Sequence, residues 1–252
     1  MKNKSVVIVV LLILASGCFV ACQKESEMNA APAQRFGSLI RVKPEYEERY
    51  IILHRHTFPG VLEAIHRANV RNYSIFLQNG LLFSYSEYIG KDLASDMEIN
   101  RADTTSQEWW KLTDPMQEPL PSRKEGEWWA AADEVLYVES QKKIPQPQRL
   151  AFLARFRASA QDSCLKYYRE IPTEILLSIQ QLPVQKVAVY QHHDRLVAYI
   201  EYSGVDLSAD LNAVMQNQAL FDWWKGAQTW HTLPDTSSSP IWQKMEEVFH
   251  TN

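Results

Sequence analysis

The chain has no run of basic residues. Its 26 Lys and Arg are scattered among 30 Asp and Glu, for a net charge of −4, so it lacks the electrostatic footprint that nucleic acid demands. Cysteine is nearly absent: Cys18 and Cys22 lie close to the N-terminus and Cys164 stands alone. A single remaining thiol excludes an internal disulfide in the mature domains. The seven histidines form no zinc-binding signature, and no metal or cofactor is expected. The N-terminal apolar run, residues 6–15, is too short to cross a bilayer comfortably. What the chain does have is large aromatics, eight Trp and eleven Tyr, within a composition 46% hydrophobic and 22% charged. That is enough to bury real cores, and such rings also serve sugar-binding sites.

The strongest internal signal is a repeat. Trp109-Trp110-Lys111 returns as Trp223-Trp224-Lys225, 114 residues later. The same shift carries Tyr85, Glu87, Tyr88, Gly90, Asp92, Leu93 and Asp96 onto Tyr199, Glu201, Tyr202, Gly204, Asp206, Leu207 and Asp210. It needs no gap. A period this long indicates a duplicated domain, because solenoid units run to about 20–50 residues.

Ahead of the repeat lies an export signal. Lys2 and Lys4 precede the apolar run, which ends in small residues beside cysteine at Ala15-Ser16-Gly17-Cys18 and Val20-Ala21-Cys22. The pattern resembles a bacterial lipoprotein signal over residues 1–22. Cys22 is the expected lipid-bearing residue, since the acidic stretch Gln23 to Glu27 follows it, with Cys18 as the alternative. The protein is therefore expected on the bacterial cell envelope, anchored to a membrane by lipid and most simply to the outer one. Residues 23–34 read as a linker.

Within copy one, residues 36–42 read as a strand and Pro44 opens a helix to His56. Pro59 breaks that helix, and a second run covers 61–68. Residues 72–78 and 81–88 flank Asn79-Gly80 as a hairpin. A polar helical stretch leads into 106–111, and 134–139 forms a last strand. Copy two repeats the order with strands at 153–157, 186–191, 196–202 and 246–250 and one helix over 161–181. Residues 142–148 read as a linker between the copies. The order βαββαβ is the ferredoxin-like arrangement, whose sheet leaves one face uncovered. The expected fold is α+β: two tandem domains, 35–141 and 149–252, pairing as an intramolecular dimeric α+β barrel.

At this point the residues resemble a family. Glu47-Glu48-Arg49-Tyr50-Ile51-Ile52-Leu53-His54, Phe58-Pro59, Asn72-Tyr73 and Trp109-Trp110-Lys111 with Thr113-Asp114 and Met116 are similar, in order and spacing, to bacterial L-rhamnose mutarotase. The resemblance implies an enzyme that interconverts α and β anomers of a 6-deoxy monosaccharide without a cofactor. It implies His54 and Tyr50 as acid–base groups, and Trp109, Trp110, Tyr73 and Asn72 as sugar-binding residues. Gly60 and Phe58 depart from the family pattern, which bears on sugar specificity.

The chemistry suits the residues. Histidine exchanges protons near neutral pH, and Tyr50, four residues earlier, shares its helical face. In copy two Tyr50 becomes Cys164 and His54 becomes Tyr168, so that half is expected to keep its rings but to lack an acid or base. Glu87 and Glu201 read as structural, and Lys111 and Lys225 as solvated charges. Two other readings stand beside catalysis. One is a sugar-binding surface lipoprotein without turnover. The other is a haem- or quinone-handling monooxygenase on the same fold.

Overall fold

The last strand of each half crosses to pair with the other half, in a sheet shared by both. The computed structural model describes residues 32–140, 146–232 and 241–252. The expected signal at 1–22 with Cys18 and Cys22, most of the 23–34 linker and part of the 142–148 linker lie outside them. Copy one runs β1 (Gln34–Val42), α1 (Glu47–Arg55), α2 (Pro59–Arg67), β2 (Val70–Gln78), β3 (Leu81–Tyr88), α3 (Leu93–Ala102), α4 (Thr104–Thr113), the short β4 (Gln117–Glu118) and β5 (Ala130–Glu139). Copy two runs β6 (Gln148–Arg155), α5 (Gln161–Arg169), α6 (Thr173–Gln181), β7 (Val184–His192), β8 (Arg195–Tyr202), α7 (Leu207–Met215), α8 (Gln218–Gln228) and β9 (Gln243–Thr251).

Local chemistry sets the boundaries. The helix expected over 161–181 divides into α5 and α6 because Pro172 supplies no N–H and disfavours helix in the residue before it. The polar stretch of copy one is two helices, since Asp92 and Asp103 each cap one by accepting from Ser95 N at 3.1 Å and Ser106 N at 2.9 Å. Asn79 and Gly80, with φ of 49° and 71°, make the tight turn between β2 and β3. Strands β5, β6 and β9 start earlier than the sequence pattern suggests. In β5 the added residues, Ala130 to Ala132, pair with β1, while Asp133 to Glu139 pair with β7 of the other half.

The sheet order is β3-β2-β9-β6-β8-β7-β5-β1-β4, and β1 also pairs with β3. Eight strands thus close on themselves, with β4 as an appendage. The seams are β2–β9 and β5–β7, so the last strand of each half pairs with the second strand of the other. Side chains alternate across the barrel wall. Leu39, Phe76, Phe83, Tyr85, Tyr190 and Tyr199 fill the interior. Outward residues such as Ile40, Ile75 and Leu82 pack under the copy-one helices together with Val248 and Phe249 from β9.

The repeated signature is structural. The Tyr88 hydroxyl donates to Asp96 at 2.6 Å and Tyr202 to Asp210 at 2.5 Å. Both contacts pass over a glycine: a Cβ on Gly90 would lie 2.3 Å from the Tyr88 oxygen, and one on Gly204 2.2 Å from that of Tyr202. Asp92 and Asp206 cap the helices that follow. Inside the barrel, Tyr85 and Tyr199 stack across the two halves at 3.8 Å. Lys186 reaches Glu87 at 2.5 Å and Glu201 at 3.6 Å. Burial works against these charges, but Lys186 and hydrogen bonds from Lys186, Tyr85 and Asn72 hold the Glu87 carboxyl below its ordinary range.

Candidate active site

Helix α1 ends at the site because its C-terminus is tied off there. Thr57 Oγ1 donates to the His54 carbonyl at 2.8 Å, and Pro59 begins α2. Tyr50 and His54 lie one turn apart and stack at 3.8 Å between ring centres. Both are buried, with 0% and 7% of their surface exposed. Trp109 of α4 meets the His54 ring edge-on at 5.1 Å, and Phe249 of β9 does so at 6.0 Å. The copy-one site is therefore completed by a residue of copy two.

Two hydrogen bonds fix where the protons are. His54 Nδ1 lies 2.9 Å from the Tyr50 carbonyl oxygen. A carbonyl only accepts, so Nδ1 carries the hydrogen and Nε2 presents a lone pair. Burial pulls the His54 pKa down to about 4, against the opposing effect of that bond, so the ring is neutral at physiological pH. Gln117 of β4 lies between Trp128 and Tyr50. The Trp128 indole N–H donates to Gln117 Oε1 at 2.8 Å, and Gln117 Nε2 donates to the Tyr50 hydroxyl at 3.2 Å. An indole only donates, which fixes the orientation of the amide. The Tyr50 oxygen thus accepts from Gln117, and its own hydrogen is free for another acceptor. Burial pushes the phenol pKa well up, so that hydrogen is held.

These groups wall a chamber of about 300 Å³, which Tyr73, Trp110 and Asp114 also line. A second lobe of about 250 Å³ shares His54, Tyr73, Trp109 and Trp110 and extends to Ser106 and Phe249. The volumes fall at the small end of the usual range for ligand sites. Tyr73 is held protonated by burial, with a pKa of about 12. Burial likewise raises the pKa of Asp114. Among the described residues no three His, Cys, Asp or Glu side chains gather as a metal site.

The structure brings together Tyr50, His54, Tyr73, Trp109 and Trp110, but separates Asn72 from them. Asn72 adopts a left-handed φ of 48° at a bulge in β2 and faces the barrel interior. Its amide donates to Glu87 at 2.9 Å and Glu201 at 2.6 Å and accepts from Tyr199 at 3.1 Å. Adjacent strand residues point to opposite faces, so Asn72 and Tyr73 cannot share a pocket. Sequence reasoning missed Gln117, Trp128 and Phe249. Of these only Trp128 left a trace, through its counterpart Trp242 in copy two.

Copy two also departs from expectation. His231 occupies the position equivalent to Gln117, and its Nε2 lies 3.3 Å from the Tyr168 hydroxyl. His231 Nδ1 donates to the Arg155 carbonyl at 3.2 Å, so Nε2 accepts from the phenol. A tyrosine–histidine pair therefore exists here, built from the positions of His54 and Gln117, and the half is not without titratable groups. The pair satisfies itself: the phenol hydrogen and the imidazole lone pair face each other. The indole N–H groups of Trp223, Trp230 and Trp242 are buried without a partner among the described residues.

Comparison with known proteins points to one family. The L-rhamnose mutarotase family model matches residues 35–138 and again 149–251. The chain belongs to the L-rhamnose mutarotase family. It is 31% identical over 94 residues to the L-rhamnose mutarotase of Ligilactobacillus salivarius, covering 35% of this chain and 84% of that one. The corresponding protein of Oceanobacillus iheyensis is 31% identical over 86 residues, 33% of this chain and 79% of its own. A mutarotase-family sequence thus occurs twice in one polypeptide. In fold alone, the chain resembles a Lactobacillus acidophilus protein named as a candidate monooxygenase, with a TM-score of 0.52 at 5% identity over 88% of this chain and 96% of that one.

Proposed function

We propose that the protein is a mutarotase that interconverts the α and β anomers of L-rhamnose or a related 6-deoxy sugar at one site, in copy one. The observation that carries this reading is the paired state of His54 and Tyr50: an imidazole with its Nε2 lone pair open, stacked on a phenol with its hydrogen uncommitted. In ring opening, Nε2 takes the proton from the anomeric O1 while the phenol gives its hydrogen to the ring oxygen O5 as the C1–O5 bond breaks. The imidazolium and phenolate so formed lie against each other and attract. Rotation about C1–C2 turns the aldehyde, and reclosure returns both protons. Trp109 and Trp110 offer apolar faces to the ring carbons and the 6-methyl group.

Saturation-transfer NMR tests the proposal. Added protein should speed exchange between the two anomer signals of L-rhamnose, and His54→Ala should remove the effect. Sugar affinity without faster exchange would identify a binding protein instead, and an absorbing cofactor in the purified protein would point to the monooxygenase reading.

We also propose envelope anchoring through lipid on Cys22, or on Cys18, supported by the basic, apolar and small-residue order of residues 1–22. Mass spectrometry of the mature N-terminus decides it, since an unmodified N-terminus beyond residue 22 would exclude both cysteines. Among the described residues no helix is long and apolar enough to cross a membrane.

A further inference from the structure

Beside the chamber, and sharing four of its walls, lies an open groove of about 570 Å³. Trp110, Asp114, Gln117 and Trp128 wall both spaces, while Lys43, Gln107 and Lys111 line the groove alone. A ligand seated against Tyr50 and His54 thus has beside it, along Trp110 and Trp128, a space nearly twice as large as the chamber. We propose that the substrate is the reducing-end 6-deoxy sugar of a larger saccharide, with its terminal ring in the chamber and the next ring in the groove against Trp128. The proposal rests on the mutarotase reading of the chamber.

Three observations carry it. First, Trp128 is 45% exposed while its N–H is committed to Gln117, so the indole is held in place with a face turned to solvent. A large apolar surface displayed at the mouth of a polar chamber suits the C–H face of a pyranose. Second, the groove supplies both kinds of hydrogen-bonding group that sugar hydroxyls require. Lys43 uses one donor on the Pro115 carbonyl at 2.7 Å and keeps two. Gln107 and Lys111 project from the exposed side of α4. Gln107 Nε2 donates to the Arg101 carbonyl at 3.0 Å and Lys111 to Glu108 at 2.5 Å, which leaves the Gln107 oxygen and two Lys111 donors. The Asp114 carboxylate has no hydrogen-bond or ion-pair partner among the described residues. Third, the display is particular to copy one. The equivalent Trp242 is half-buried, stacks on Trp224 at 6.3 Å and hides its N–H. Mutarotation requires only that O1 of the terminal ring be free, so a second sugar on any other hydroxyl leaves the chemistry intact.

The test compares free L-rhamnose with three disaccharides that carry glucose on O-2, O-3 or O-4 of L-rhamnose, using the full chain and anomer-exchange NMR. A stacked ring with one or two net hydrogen bonds should raise kcat/KM for at least one disaccharide about tenfold over the free sugar. Gln107→Ala with Lys111→Ala, which strips two hydrogen-bonding side chains from the groove without touching the chamber, should reduce that advantage and leave free-sugar exchange unchanged. Equal or lower kcat/KM for all three disaccharides, with His54-dependent exchange of the free sugar intact, overturns the larger substrate and leaves the mutarotase reading standing. An undiminished advantage in that double variant overturns the assignment of the second ring to the groove. No exchange of either kind of sugar overturns both readings.

Discussion

Copy one and copy two share their scaffolding to the level of single hydrogen bonds, yet their pockets hold different chemistry. The Tyr88–Asp96 contact over Gly90 and the Tyr202–Asp210 contact over Gly204 are the same device, as are the Asp92 and Asp206 caps. The pockets above them differ at each position that handles a proton: Tyr50, His54 and Gln117 against Cys164, Tyr168 and His231. The paired tryptophans apart, residues repeated at the 114 shift report the fold, and the groups that handle protons are among those that fail to repeat. The difference between the pairs lies in which atoms remain free. In copy one the backbone orients His54 and Gln117 orients Tyr50, so both reactive atoms stay available. In copy two the phenol and imidazole consume each other, and burial pushes the Tyr168 pKa up and the His231 pKa down, keeping both neutral.

The largest test of that contrast is functional. His54→Ala should lower the enzyme-catalysed anomer exchange by roughly 10²–10⁴-fold, the usual contribution of a positioned acid or base. His231→Gln should leave exchange within about twofold, since binding and chemistry are assigned to copy one. Comparable losses from the two changes would place catalytic work in both halves.

A second asymmetry lies inside the barrel, where Asn72 and Lys186 occupy equivalent positions between Glu87 and Glu201. Lys186→Met leaves two buried carboxylates without their cation and should cost about 3 kcal/mol in denaturant unfolding. Adding Glu87→Gln to it should recover part of the loss. An unchanged midpoint for Lys186→Met would mean that Lys186 is not the charge that holds the seam.

The pH response should separate His54 from an ordinary histidine. Its folded pKa of about 4 lies below the ordinary 6.5. The base form therefore persists to low pH, and kcat/KM for exchange should fall with a midpoint near 4. Stability follows by linkage: between about 6.5 and 4 the unfolded chain binds the proton that the folded site refuses, so this contribution is complete above 6.5 and is lost as pH falls toward 4. A rate midpoint near 6.5 that disappears in His54→Ala would show the imidazole to be far better solvated than its surroundings suggest.

Much of the fold was legible because it rests on local and repeated signals. The hairpin at Asn79-Gly80, Pro44 and Pro59 at helix starts and the 114-residue shift each state their structure directly. Tyr50, His54, Tyr73, Trp109 and Trp110 were legible as a group through their resemblance to a family. Asn72 was misread because a neighbour in sequence is not a neighbour across a sheet, and the bulge that turns it inward has no composition of its own. Phe249 was invisible for a topological reason. It reaches the copy-one pocket only because β9 crosses to the other half, and no spacing within copy one could announce it. His231 gave no repeat signal, because the 114 shift sets it against an unlike side chain, Gln117.

That unlike position supplies the smallest and most demanding test, rebuilding the copy-one constellation in copy two. In a His54→Ala background, Cys164→Tyr with Tyr168→His restores the two ring positions but leaves His231 where copy one has an amide. Adding His231→Gln should matter for a specific reason. Trp242 is the counterpart of Trp128, yet its indole N–H has no partner among the described residues, whereas that of Trp128 is satisfied by the Gln117 oxygen at 2.8 Å. An amide at position 231 offers Trp242 the missing acceptor and turns its NH₂ toward the restored phenol, repeating the orientation that frees the Tyr50 hydrogen. Cys164 is fully buried, so the larger ring brings some overpacking strain, about 1–3 kcal/mol. Recovery should stay small, about a hundredth of native exchange, because a 1 Å misplacement of reacting groups already costs roughly that factor. The triple change should exceed the double change in the same background. If the double change alone recovers as much, the amide does not orient the phenol, and the distinction drawn between the two pockets loses its central element.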